Sequence, residues 1–373
     1  MKKTSGTVPE NFYNFYFYLI CQKSGSYSAR PSNQMENENR LTINDIAREL
    51  NLSKSTVSRA LRDSYDVNSE TKLRVLQLVK KLNFEPNVIA KSLREHKSFN
   101  IGVIIPSFQI PFYATAIGGI QEVLSSAGFN VMTCQTNEAF DAELISVNSF
   151  LKSRVDGMLI SLSKHTNQYD HIKKFIQKGL PVVMFNRVTT DLDLPSVTVD
   201  DYRGAYGAIE YLIQRGCRNI AHISGPRTLL LCKQRKAGYM DCLSKNNLPI
   251  REEWIFESDF SIESGIKAAE EMLKLPALPD SIFCICDSVA IGVMKVLKKR
   301  GVKIPSDISV MGFTDDSFAA VVDPSLTTIS QPIAEIGKKA AELLLLQLNR
   351  KFTKWDNRHI VLDTSLVVRE SVR

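Results

Sequence analysis

Apolar residues at Ile43, Ile46, Ala47 and Leu50 recur at i, i+3, i+4 and i+7, the spacing that lines one face of a helix. Thr42 stands where an N-cap belongs, with Asp45 at the third helical position. Leu50-Asn51-Leu52 leaves room only for a turn, and Ser53 then caps a second helix whose apolar stripe is predicted at Val57 and Leu61. Small Ala47 lets the two axes approach closely, which makes the pair a helix-turn-helix. Asn68 is placed to cap a third helix over "SETKLRVLQLVKKLNF", with Leu73, Leu76, Val79 and Leu82 as its stripe closing a three-helix core. Pro86 fits the first turn of a further short helix.

From Phe99 onward the pattern changes. Apolar runs of four to eight residues ("NIGVIIP", "FNVMTCQ", "VDGMLIS", "LPVVMF", "SVTVD", "NIAHISG", "SIFCICD", "ISVMGFTD") alternate with helical segments. Runs of this kind predict parallel sheets wrapped by helices. They are too many for one comfortable sheet, so two doubly wound sheets in sequence are expected, forming two lobes with a cleft between them. Ligands in such folds bind beyond the carboxyl ends of the strands. The fold class expected is a small all-α headpiece followed by a two-lobed α/β domain.

Composition changes this picture little, with 44% hydrophobic and 23% charged residues in 373, near globular averages. Charge changes it more. Of a net +7, an excess of five falls between Arg40 and Lys97, where 12 Lys/Arg face 7 Asp/Glu. A basic concentration over the small helical module suits an anionic partner. The seven cysteines follow no paired spacing and several sit in apolar runs, which points to a reducing, cytoplasmic setting. No run reaches the length of a membrane span. Residues 1–40 begin basic and aromatic, but Asn11 and Asn14 interrupt the apolar stretch and no small-residue cleavage site follows. Residues 24–40 are polar and without periodicity, so the segment reads as a structureless extension or, if translation starts at Met35, as no part of the native chain.

The second helix carries the first candidate chemistry. Its outward residues are Lys54, Ser55, Thr56, Ser58 and Arg59. Helix N-termini expose free N–H groups, so Ser53 and Thr56 suit phosphate contact. Lys54, Ser55 and Arg59 are positioned to reach base edges in a major groove, where cationic groups meet guanine acceptors and hydroxyls meet either base type. Thr42, Ser58 and Asn68 complete the candidate DNA-contacting set in this module. Enzyme signatures are missing: no G-x-G-x-x-G or P-loop follows the first strand, and there is no G-x-S-x-G elbow. The five histidines show no metal-ligand spacing. No cofactor, metal or catalytic residue is expected.

The pattern T-x-x-D-I-A…L-S-x-x-T-V-S-R-x-L…V-N-x-x-T…R-V…L-x-F-x-P-N-x-x-A-K-S-L across residues 42–93 resembles the DNA-binding headpiece of the LacI/GalR family of bacterial transcription regulators. The resemblance implies a headpiece over 41–85 and a hinge helix and linker over 86–98. The hinge helix would be disordered off DNA and would fold in the minor groove. Leu93 would then wedge into the central base step, with Asn87, Ala90 and Lys91 near the backbone or groove floor.

The likeness extends over about residues 42–373 and implies a periplasmic-binding-protein-like effector domain. Its first lobe would span about 99–198 and 332–358, its second about 199–331 and 359–373. Carried over position by position, Phe112 and Tyr113 match aromatics that stack on a ring, Asn186 and Arg187 a polar pair at a strand end, and Arg235 a ligand clamp. Phe260 matches a second aromatic wall and Asp287 a carboxylate accepting hydroxyl or ring N–H bonds. "TLLLCK" at 228–233 departs from the polar residues some relatives place there. Residues 333–348 put Ile336, Ala340, Leu343 and Leu344 on an apolar face that reads equally as core or dimer interface. The expected protein is a homodimeric or tetrameric repressor acting on double-stranded operator DNA, controlled by a sugar or sugar phosphate. The rival reading is a solute-binding protein of a carbohydrate uptake system.

Overall fold

The computed structural model describes residues 41–61, 64–84, 97–349 and 358–373. Asn87, Ala90, Lys91 and Leu93 of the expected hinge fall outside these residues. The chain divides into two compact units, Met1–Asn87 and Val88–Arg373.

In the first unit, α1 (Ile43–Glu49) and α2 (Lys54–Ala60) are joined by a turn. Asn51 supplies the left-handed backbone the turn needs (φ 53°), and the Leu52 N–H closes it on the Ala47 carbonyl at 2.9 Å. The third helix, α3 (Ser69–Lys81), begins where the Asn68 side chain accepts the Glu70 N–H at 2.9 Å. The core consists of Ile46, Ala47, Val57, Ala60, Val67, Val75, Leu78 and Phe84, with Leu61, Val79 and Leu82 partly buried against it. Two predicted stripe positions are corrected: Leu73 and Leu76 are 57% and 51% exposed. Positions 75, 78, 79 and 82 repeat the same i, i+3, i+4, i+7 spacing and win because they turn a continuous apolar stripe toward α1 and α2. In α2 the fully buried companion of Val57 is Ala60.

The second unit starts with β1 (Asn100–Ile105), α4 (Pro111–Ser126), β2 (Asn130–Gln135), α5 (Phe140–Lys152), β3 (Gly157–Ile160), α6 (Asp170–Gln177), β4 (Val182–Phe185) and β5 (Ser196–Val199). It continues through α7 (Asp201–Gln214), β6 (Ile220–Ser224), α8 (Leu230–Lys245), β7 (Ile255–Glu257), α9 (Ile262–Met272), β8 (Ser281–Cys284), α10 (Asp287–Lys299), β9 (Ser309–Thr314) and β10 (Thr327–Ser330). The last elements are α11 (Ile333–Asn349), β11 (His359–Leu362) and β12 (Ser365–Val367). Two six-stranded sheets result, in the orders β11-β5-β4-β3-β1-β2 and β12-β10-β9-β8-β6-β7. All pairings are parallel except β10 with β12. Strands β3, β4, β8 and β9 are buried along their whole length, as sheets covered on both faces require.

The expected assignment of 359–373 to the second lobe is corrected. Strand β11 pairs with the edge of β5, His359 opposite Ser196, so it completes the first sheet. Only from β12 does the chain return to the second. The chain therefore passes between lobes three times: from β5 to α7, from β10 to α11, and from β11 to β12. Helix α11 lies against α4, where an added Cβ at Gly119 would collide with the Ala334 carbonyl oxygen and one at Gly337 with that of Ala116. Ile336, Ala340, Leu343 and Leu344 are buried in this contact, which resolves that face as core of the first lobe.

Candidate DNA-contacting face and ligand cleft

The polar face of α2 is built on a fixed backbone. Ser53 accepts the Thr56 N–H at 3.0 Å, and its hydroxyl lies 2.7 Å from that of Ser55 and 2.8 Å from that of Thr56. With Val57 and Ala60 buried underneath, Ser53, Lys54, Ser55 and Arg59 are exposed, while Thr56 and Ser58 are half-buried. Arg59 is held by the Asp66 carboxylate at 2.7 Å, so it is aimed across the end of α2 and its charge is partly balanced. Thr42 and Asn68 are exposed at helix starts. The Asp45 carboxylate accepts both the N–H and the hydroxyl of Thr42, at 2.9 and 2.6 Å, which holds its carboxyl below the usual range. Lys54, Ser55 and Arg59 thus lie on the outward face of α2, with Ser53 and Thr56 at its N-terminal N–H groups.

The cleft of the second unit lies at the carboxyl ends of both sheets. Phe112 and Tyr113 enter it from the first turn of α4, Asn186 and Arg187 from the end of β4, Arg235 from α8, and Phe260 from the loop before α9. The backbone there is unusual, since Asn186, Phe260, Asp315 and Glu138 all have positive φ, at 58°, 74°, 61° and 65°. Such conformations cost energy in bulky residues and concentrate at binding sites. Phe260 keeps its place partly because Gly225 has no Cβ to strike its ring.

Both arginines are already engaged. Arg187 Nη1 donates to both oxygens of Glu138 at 2.8 Å each, and its guanidinium lies 4.7 Å from the Phe260 ring across the cleft. Arg235 donates from Nε and Nη2 to Asp201 at 2.8 and 2.7 Å and from Nη1 to the Ile285 carbonyl at 2.6 Å, with Phe313 beneath it at 3.6 Å. Tyr113 is buried, its hydroxyl 2.9 Å from that of Ser161 and accepting from the Asn186 amide at 3.2 Å. Burial raises its pKa.

One expected ligand contact is corrected. Asp287 is fully buried at the start of α10, behind the cleft wall. Its oxygens accept the Thr328 hydroxyl at 2.6 Å and the Asp316 N–H at 2.8 Å, and burial pushes its pKa up to about 7. The carboxylate that reaches the cleft from this side is Asp316, beside Thr314 and Gln331.

Sequence reasoning also missed a second chamber that shares Asn186 and Leu231 with the first. It is lined by Thr189, Thr190, Ser196, Thr198, Gln234 and His359 among others. Its volume is about 290 Å³, against about 60 Å³ for the aromatic chamber. Most of the room for a ligand therefore lies beyond Leu231. Asp201, just past the carboxyl end of β5, lines this chamber, and Asp316, just past β9, lines the aromatic one; acidic residues at those strand ends are the signal the sequence carries.

Two family models match the chain. Residues 42–87 match the bacterial regulatory proteins of the lacI family, and residues 98–364 match the periplasmic binding proteins and sugar binding domain of the LacI family. The chain belongs to the LacI family. Among its relatives, the HTH-type transcriptional repressor PurR of Actinobacillus pleuropneumoniae serotype 3 (strain JL03) is 31% identical over 89% of this chain and 98% of its own. The repressor CytR of Escherichia coli K12 is 31% identical over 90% of this chain and 97% of its own. In solved structures, the lac repressor dimer bound to operator and an anti-inducer superimposes with a TM-score of 0.78 at 25% identity, covering 89% and 98% of the two chains. A CelR–cellobiose complex does so with a TM-score of 0.68 at 26% identity, covering 89% and 100%. As a LacI-family member with both domains, the protein is a helix-turn-helix transcriptional regulator, and the solute-binding-protein alternative leaves residues 42–87 without a role. Among the described residues no helix is long and apolar enough to cross a membrane.

Proposed function

We propose that the protein is a cytoplasmic, homodimeric, non-enzymatic repressor that places α2 in the major groove of each half of a palindromic operator and releases or tightens its hold when a sugar-like ligand enters the cleft. The observation that carries this reading is the α2 face: exposed Lys54, Ser55 and Arg59 on a helix pinned by Val57 and capped by Ser53. Thr42, Ser58 and Asn68 add contacts at the margins of this face. Asn87, Ala90, Lys91 and Leu93 serve the minor groove at the operator centre. In the cleft, Phe112, Tyr113 and Phe260 offer ring faces and Asn186, Arg187 and Asp316 hydrogen bonds, the mix that suits a polyhydroxylated ring. Cys286 is the cleft's thiol, and burial pushes its pKa up to about 12, which makes it a poor nucleophile. The relatives' status as repressors supports the direction of control.

The test is selection of duplexes by the purified full-length protein at moderate salt, followed by a thermal-shift screen with mono- and disaccharides and the effect of each hit on operator affinity. Enrichment of a palindrome whose binding a hit changes is the expected result. Enrichment of no sequence over random duplex refutes the reading.

A further inference from the structure

We infer that the cleft selects an electrically neutral ligand and rejects its phosphorylated counterpart. This rests on the reading of the cleft as the effector site and decides between the two ligand classes that reading allows. The carboxylates of Glu138, Asp201 and Asp316 stand in or directly behind the wall against two guanidinium groups, those of Arg187 and Arg235. Each guanidinium is matched by a carboxylate at hydrogen-bond distance, and both are almost fully buried. Asp316 accepts the Phe318 N–H at 2.9 Å and pairs with no cation among the described residues. The larger chamber carries neither Lys nor Arg among its described lining residues.

A phosphate group entering either chamber would meet an excess of negative charge. To gain a cation it would have to draw Arg187 from Glu138, leaving a carboxylate poorly solvated and unpaired, which costs more than the exchange returns. Hydroxyl groups face no such conflict. They can donate to Asp316 and the carbonyl of Gln331 or Asn186 while accepting from the unused guanidinium N–H groups.

The experiment is a thermal-shift and calorimetric titration of the full-length protein with matched pairs: ribose and ribose 5-phosphate, glucose and glucose 6-phosphate, cytidine and its 5′-monophosphate, adenosine and its 5′-monophosphate. Stabilisation should be confined to unphosphorylated members, with any phosphorylated partner binding at least about tenfold more weakly. A monophosphate that binds as tightly as its parent overturns the charge assignment and leaves the ligand-controlled reading standing. Stabilisation by no compound at all counts against the cleft as an effector site and takes the assignment with it. A second measurement needs no natural ligand. In Glu138→Gln, Arg187 loses its counter-charge, so inorganic phosphate at constant ionic strength should raise the melting temperature of the variant above any shift in the wild type. Equal shifts in both proteins would contradict Glu138 as the group that silences Arg187.

Discussion

The two binding regions use the same residue types in opposite ways. On α2 the charged and hydroxyl side chains stand outside a small apolar core, and the one described ion pair among them, Arg59 with Asp66, is 44% and 36% exposed. In the cleft, Arg235 and Asp201 are each 4% exposed and Arg187 is 3% exposed. An exposed pair is screened and replaceable, as suits a surface whose counter-ions must be exchanged for phosphates. A buried pair is part of the architecture, and breaking it leaves a charge without solvent. The contrast separates a face that meets its partner by charge from a cavity that has spent its charge internally.

The sharpest test of that contrast removes one carboxylate from each region. Asp201→Ala should cost about 3–5 kcal/mol of effector-domain stability in urea unfolding, whereas Asp66→Ala, at a screened surface pair, should leave headpiece stability nearly unchanged. Comparable losses would erase the distinction. Next in size is Asp287. Its pKa of about 7, against an ordinary 3.8, means the folded protein holds that proton more tightly than the unfolded chain. The resulting penalty is absent below pH 3.8, grows as pH rises to about 7 and is constant above. Asp287→Asn should therefore gain about 2–4 kcal/mol relative to wild type between pH 4 and pH 8 by the linkage of pKa to stability. Parallel stability profiles would show that the buried carboxylate ionises freely.

Effects at the headpiece surface should be smaller and confined to recognition. Lys54→Ala or Ser55→Ala should relax base preference at one half-site position by about 1–3 kcal/mol with thermal stability unchanged, read by competition between cognate and single-mismatch duplexes. Unchanged discrimination would displace α2 from the groove. Smallest is Ser53→Ala, which removes the acceptor of the Thr56 N–H and should cost about 1 kcal/mol of headpiece stability, measured by thermal unfolding.

The same contrast explains what was legible beforehand. The helix-turn-helix, its caps at Ser53 and Asn68 and the strands of the eight apolar runs follow from local periodicity and capping chemistry, and each is present. Leu73 and Leu76 fit a three-residue repeat with Val79 and Leu82, while Val75 and Leu78 fit the same two residues at i, i+3, i+4, i+7, and only packing against α1 and α2 chooses between the two stripes. Strands β7 and β12 have three residues, too few to register, while β10 opens on two threonines and β11 is a half-exposed edge strand, so neither stands out as the fully buried four-residue β3, β4 and β8 do. In the cleft, residue type marked which side chains gather at the strand ends but not which way each turns. Asp287 and Asp316 are both acidic residues past a strand, and one hydrogen bond from the backbone of the second to the carboxylate of the first decides that the first is hidden. Partners such as Glu138 for Arg187 lie 49 positions apart and are joined only by the fold.

The triple passage between the lobes has a mechanical meaning. A single tether would let the halves drift, twist or separate, whereas three crossings held together, with the Asp200 N–H bonded to the Leu362 carbonyl at 3.1 Å and Ser330 paired with Ser365, oppose drift and separation far more than a jaw-like swing about them. A swing of that kind is the movement through which anything seated between the jaws would find the least resistance.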